Sequence, residues 1–183
     1  GDKLDTIVNI YDESDDKRGR CEPSAVQTSG THKREAGFTI CAPLAAALKP
    51  HQFDAVDKLV PIMIGGANGG IGREQMGMGK TFIALSVIQI LADNTPDLRK
   101  ALVVVPKTLV AAWASEYKKW NGIGALKFPL HVVNNNKEVE KAAAWCSGML
   151  IVSADTFKLS FEHFPIDLNT LFILDEAHMA KEP

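Results

Sequence analysis

Residues 101 to 105 read Ala-Leu-Val-Val-Val and are closed by Pro106, so neither alternating face of the run offers a polar position. A strand of this kind has no side for water. It belongs in a sheet covered above and below, which means a mainly parallel sheet with helices on both faces. The flanking segments keep to that scheme. A helix is predicted from Pro50 toward Ile64, with Phe53, Val56, Leu59 and Val60 at helical spacing, and the Gly-rich stretch 65–72 ends it. A weak strand near Ile71, a loop from Glu74 to Gly79 and a helix from Lys80 to about Ala92 follow. Leu109 to Trp120 reads as a helix, Leu130 to Val133 as a strand and Lys137 to Cys146 as an Ala-rich helix. Met149 to Val152 and Leu171 to Leu174 read as the closing strands, the second running into Asp175. The expected fold is α/β, a three-layer sandwich around a mainly parallel sheet.

The first 37 residues do not share this pattern. They hold 8 of the 22 acidic and 6 of the 20 basic side chains, so the net charge of -2 lies wholly within them. Their one apolar group is Ile7 to Tyr11, too little to offset the entropy of ordering the stretch. Residues 1–37 are therefore expected to be a disordered acidic and polar leader, and residues 38–183 the folded lobe. The cluster Lys17-Arg18-Gly19-Arg20 is read as a solvated charge run. Because the chain begins at Gly1 and stops at Pro183 within a motif, both ends are expected to be cut from a larger protein.

A composition of 46% hydrophobic and 23% charged residues excludes collagen, coiled coil and wholesale disorder. No uninterrupted apolar run reaches the roughly 18 residues of a membrane span, and the polar start is no secretory signal. An intracellular protein without a membrane partner is expected. Cys21, Cys41 and Cys146 lie far apart with no C-x-x-C pair, which argues against a zinc ribbon or a disulfide framework. His32, His131 and His163 fit no triad or metal spacing.

The segment Glu74-Gln75-Met76-Gly77-Met78-Gly79-Lys80-Thr81 falls at a strand-to-helix junction. Holding phosphates there takes inward backbone N–H groups, glycines that let the chain wrap the anion, a lysine for the outer phosphates and a hydroxyl for magnesium. Gly77, Gly79, Lys80 and Thr81 supply these in order, although Glu74 stands where the strict P-loop pattern has glycine. Leu171-Phe172-Ile173-Leu174-Asp175-Glu176-Ala177-His178 then puts two carboxylates directly after a buried strand. Ligands of open α/β sheets sit beyond the carboxyl ends of the strands, so both segments can face one crevice. In that crevice Asp175 would hold Mg2+ and Glu176 would polarise an attacking water.

Four segments together, Leu48-Lys49-Pro50-His51-Gln52, Gly77-Met78-Gly79-Lys80-Thr81, Val103-Val104-Val105-Pro106 with Trp113, Glu116 and Trp120, and Asp175-Glu176-Ala177-His178, resemble the Swi/Snf family of DNA-dependent ATPases in helicase superfamily two. The resemblance covers about residues 44 to 183. It implies a first RecA-like lobe that binds ATP and Mg2+ through Gln52, Gly77, Met78, Gly79, Lys80, Thr81 and Asp175, with Lys80 and Glu176 catalytic. It also implies that Lys107 and Thr108, and more weakly Ser153, approach the DNA backbone, a contact that positions without reading sequence. Trp113 and Trp120 are expected in the core, since 109, 113, 116/117 and 120 describe one helical face. The implied partners are duplex DNA or chromatin and a second RecA-like lobe, in the nucleus of a eukaryote, with no activity expected from this lobe alone. The family's strand between the P-loop strand and the Asp-Glu strand is not found before Pro183, so a sheet short of a central member is expected. Gln75, Ala154 and Met179 depart from the family's pattern. A non-catalytic P-loop scaffold and a P-loop ATPase independent of nucleic acid are the alternative readings.

Overall fold

The computed structural model describes residues 7–13, 30–65, 69–75 and 79–175, the first and third of these by backbone alone. The strands are β1 (Ile7–Glu13), β2 (Thr31–Lys33), β3 (Thr39–Cys41), β4 (Gly69–Gln75), β5 (Lys100–Val105), β6 (Leu130–Val133), β7 (Gly148–Ser153) and β8 (Thr170–Asp175). The helices are α1 (Ala42–Ala47), α2 (Pro50–Ile64), α3 (Lys80–Asn94), α4 (Val110–Asn121), α5 (Val139–Ala143) and α6 (Ala154–Ser160). Short 3-10 turns cover Lys107–Leu109, Asn136–Glu138 and Phe161–His163. Six strands form one sheet in the order β4-β1-β8-β5-β7-β6, and every neighbouring pair is parallel. A separate antiparallel hairpin joins β2 and β3.

Every residue of β5 and β7 is buried, as the unbroken apolar run requires. Alternation divides their side chains between two layers. Ala101, Val103, Val105, Met149, Ile151, Leu171 and Ile173 pack against apolar residues of α1 to α4. Leu102, Val104, Leu150 and Val152 pack on the other side against Val139, Ala142, Trp145 and Phe164. Each Val, Leu, Ile, Met or Phe among them contributes about 1.5–3 kcal/mol by leaving water, so the two-sided burial is the main stabilising term of the lobe. Helix α3 is buried without a break from Phe82 to Leu91, which explains its lack of a polar face. Its one long polar side chain there, Gln89, accepts hydrogen bonds from the N–H groups of Lys127 and Phe128 and so ties the loop before β6 to the helix.

Three expectations give way here. Residues 7–13, assigned from composition to a disordered leader, form a strand, and β2 also lies within that leader. The position expected to be vacant, between the strand before Gly79 and the strand ending at Asp175, is held by β1, whose residues 7–13 pair with 69–75 and whose residues 7–10 pair with 172–175. The physical reason lies in Ile7-Val8-Asn9-Ile10-Tyr11, rich in β-branched and aromatic residues, set beside two strand edges whose N–H and C=O groups need partners. The helix expected over 137–146 is also shorter, reduced to a 3-10 turn and α5.

At the amino edge of the sheet Lys100 is 8% exposed and its ammonium is fully engaged. It donates to the carbonyl oxygen of Pro165 and pairs with Asp167 at 2.7 Å, with the Trp145 ring centroid 5.6 Å away. The hydrogen bond from Lys100 holds the Asp167 carboxyl below the usual carboxylate range, helped by Thr170 and the N–H of Asn169. A carboxyl that ionises lower in the folded state contributes stability that is complete above its unfolded pKa and is lost as pH falls through the folded one. Urea melts taken from neutral to acidic pH should therefore show a stability loss that is smaller in Asp167→Asn. An identical acid slope in the variant would remove the pair from the account.

Candidate functional site

Parallel alignment brings every carboxyl end of the large sheet to one edge. Val104 pairs with both Val152 and Leu174, and Val105 with Ser153, so β5, β7 and β8 end level. Ile10 stands between Gly72 and Asp175, which puts Asp175 three residues short of the end of β4 at Gln75. Strands β4 and β8 are two strand spacings apart, about 10 Å. The start of α3, the turn 107–109, the end of β7 and Asp175 thus share one rim.

Gly79 caps α3 with φ 77° and ψ 41°, and among the described residues no side chain caps the helix. The left-handed conformation favours glycine, and space demands it as well. A Cβ at this position would lie 2.5 Å from Nε2 of Gln52. Gln52 is buried, and its Oε1 accepts the Lys49 N–H at 3.0 Å, which turns its amide nitrogen toward Gly79. Helix α2 holds this pose through the hairpin. Arg34 donates from Nε to Oδ1 of Asp57 at 2.9 Å and from Nη2 to Oδ2, with its guanidinium 4.7 Å above the ring centroid of Phe53. Lys80 and Thr81, both half-buried, open the first turn of α3.

Asp175 emerges half-buried from β8 on the face that carries Leu171 and Ile173. There Nε1 of Trp113 donates to its Oδ2 at 2.9 Å. Trp113 and Trp120 are both core residues: Trp113 is buried, and Trp120 stacks on Phe82 with centroids 4.0 Å apart while donating to Glu116. Lys107 and Thr108 are exposed on the turn that precedes α4. With Lys158 they edge a cavity of about 400 Å³ floored by Val104, Phe157, Phe172 and Leu174, on the sheet face opposite Trp113. Ser153 is placed differently from the expectation of a DNA contact. It is 1% exposed, and its hydroxyl caps α6 by accepting the Thr156 N–H and donating to Thr156 Oγ1. Its position is internal, which withdraws it from the candidate contacts.

Gly77, Met78 and Glu176 lie outside the described residues. Of the remaining candidates, Gln52, Gly79, Lys80 and Thr81 come together, and Asp175 sits on the same edge. Sequence reading passed over two supports of the site, Arg34 and the Trp113 hydrogen bond. The second leaves a signal, because a core tryptophan must find an acceptor for its N–H.

Comparison with known proteins gives one family. The profile of the SNF2-related domain matches residues 48–183. The chain is 32% identical over 156 residues to the DNA repair and recombination protein RAD54-like of Gallus gallus, covering 75% of this chain and 21% of that protein. It is 31% identical over 157 residues to the DNA repair protein rhp54 of Schizosaccharomyces pombe, covering 75% of this chain and 18% of that protein. With Protein CHROMATIN REMODELING 25 of Arabidopsis thaliana it shares 30% identity over 153 residues, 75% of this chain and 17% of that protein. The chain therefore spans about a fifth of the length of these relatives.

The contact between Gly79 and Gln52 is testable by stability alone. Gly79→Ala should lower the unfolding free energy by about 1–2 kcal/mol through the left-handed backbone, with a further loss from the clash. Gln52→Ala removes the opposing amide, so chemical denaturation of Gly79→Ala/Gln52→Ala should show less than the sum of the single losses. Additive losses would separate the two residues.

Proposed function

This chain belongs to the family of SNF2-related domains, and on that footing we propose that it is the ATP-binding lobe of a DNA-dependent motor. The observation that carries the reading is the junction of Gly79 and Gln52 at the start of α3, on the sheet edge where Asp175 emerges. The residues there suit a magnesium nucleotide. The first turn of α3 presents N–H groups to an anion, Gly79 leaves no side chain in the way, and Asp175 offers a carboxylate on the same edge.

In this reading the loop through Gly77, Met78 and Gly79 wraps the phosphates, and Lys80 neutralises the outer ones. Gln52 addresses the base. Thr81 and Asp175 hold Mg2+, which supplies positive charge against the charge that develops on the phosphates. Glu176 orients the attacking water and accepts its proton. Lys107 and Thr108 meet the sugar-phosphate backbone of duplex DNA, where donors grip without reading sequence. A second RecA-like lobe completes the motor, and the lobe alone does not turn over. The repair, recombination and remodelling names of the relatives support a nuclear protein acting on DNA or chromatin.

Two variants separate binding from chemistry. Lys80→Ala should abolish binding of a fluorescent ATP analogue to the chain. In a protein carrying both lobes, Glu176→Gln should bind Mg-ATP at parent strength and lose about a hundredfold or more in turnover. ATP binding unaffected by Lys80→Ala would overturn the site, and parent turnover in Glu176→Gln would leave the carboxylate a structural role.

A further inference from the structure

We propose that Trp113 is a positioning residue for the cation site: its indole N–H fixes the orientation in which Asp175 meets a divalent cation. The proposal rests on the reading of Asp175 as a magnesium ligand. Trp113 is 1% exposed, so its N–H is out of reach of water and its acceptor is part of the fold. That acceptor is Oδ2 of Asp175, at 2.9 Å. A carboxylate at the end of a strand can turn about its Cβ–Cγ bond, and a donor on one oxygen removes that freedom and directs the other oxygen.

The donor itself is held firmly. Helix α4 is locked to α3 by the stack of Trp120 on Phe82, with rings 20° from parallel, and Tyr117 of the same helix donates to the Phe128 carbonyl at 2.8 Å. Helix α3 in turn begins at Lys80. One rigid pair of helices therefore carries both the residues that follow the phosphate loop and the donor that aims Asp175. This arrangement keeps the cation ligand in register with the phosphates, as a supporting hydrogen bond does for metal-binding side chains generally. Trp120 offers an internal comparison, since its indole also donates to a carboxylate, that of Glu116 at 2.7 Å, on its own helix.

The test reads cation-dependent binding by the 183-residue chain. A fluorescent ATP analogue is titrated with magnesium and with EDTA, and the gain in affinity due to magnesium is compared between variants. In Trp113→Phe that gain should fall by about tenfold, the size of one charge-assisted hydrogen bond, while the EDTA affinity stays at the parent value and reports an intact phosphate loop. Trp120→Phe, which keeps an aromatic ring against Phe82 and removes only the indole donor to Glu116, should keep the full gain. Should Phe fail to fill the space, shown by loss of the EDTA affinity, benzothienylalanine at position 113 keeps the bicyclic ring and removes only the donor, and it should give the same tenfold fall. In an Asp175→Asn background, Trp113→Phe should change the gain no further. A full magnesium gain in a folded position-113 variant would overturn the positioning role while leaving the nucleotide reading in place. A parent chain that binds the analogue without any magnesium gain would overturn both.

Discussion

Two-sided burial of the strands β5, β7 and β8 is the constraint from which the rest follows. Their apolar side chains are packed above and below, so the sheet needs a helical layer on each face and its strands must run parallel through helical crossovers. Parallel strands end together. The loops at those ends meet on one rim, and the start of α3, the turn at Lys107 and the Asp175 carboxylate are neighbours because of it rather than through any attraction among themselves. The chemistry of the rim depends on the core beneath it.

The polar groups are placed by a smaller number of specific contacts. Gln52 reaches Gly79 with its Oε1 held by the Lys49 N–H, on a helix that the guanidinium of Arg34 also grips by engaging both oxygens of Asp57 and lying over Phe53. An ion pair this open to solvent is worth little by charge alone, about 0–1 kcal/mol, so its value lies in fixing the angle of the helix. Trp113 acts from the core in the same sense, sending one N–H to the only acidic side chain of β8. In both cases a hydrophobic element supplies the rigidity and one polar atom supplies the direction.

Much of this was legible in the sequence, because the large sheet announces itself in unbroken apolar runs. The strand 101–105 was bounded to within a residue, and α2 runs over the expected span, since helical spacing and Pro50 define both its face and its start. What composition concealed was β1. Averaging charge and polarity over 37 residues hides a five-residue β-former, and its value comes from the two open strand edges it pairs, which no local window contains. Ser153 differs in kind. The family resemblance implied a weak DNA-backbone contact there, whereas Ser153 with Thr156 three residues later is also the spacing of a helix cap, and the cap is what formed. The bond from Trp113 to Asp175 joins positions 62 apart in the chain, and helical spacing could put the ring in the core without naming the acceptor.

The central claim is that magnesium nucleotide binds on the rim joining Gly79, Lys80 and Asp175. The three indoles of the chain are suited to test it, because each N–H has a known acceptor: Asp175 for Trp113, Glu116 for Trp120 and the Gly148 carbonyl for Trp145. Trp145 sits at the opposite edge of the sheet, beside the first residue of β7. In a proton–nitrogen correlation spectrum titrated with Mg-ATP, the account predicts that the Trp113 indole resonance moves together with the backbone amides of Gly79 and Lys80, while that of Trp145 stays in place. A Trp113 resonance that does not move while nucleotide binds elsewhere in the chain would contradict it.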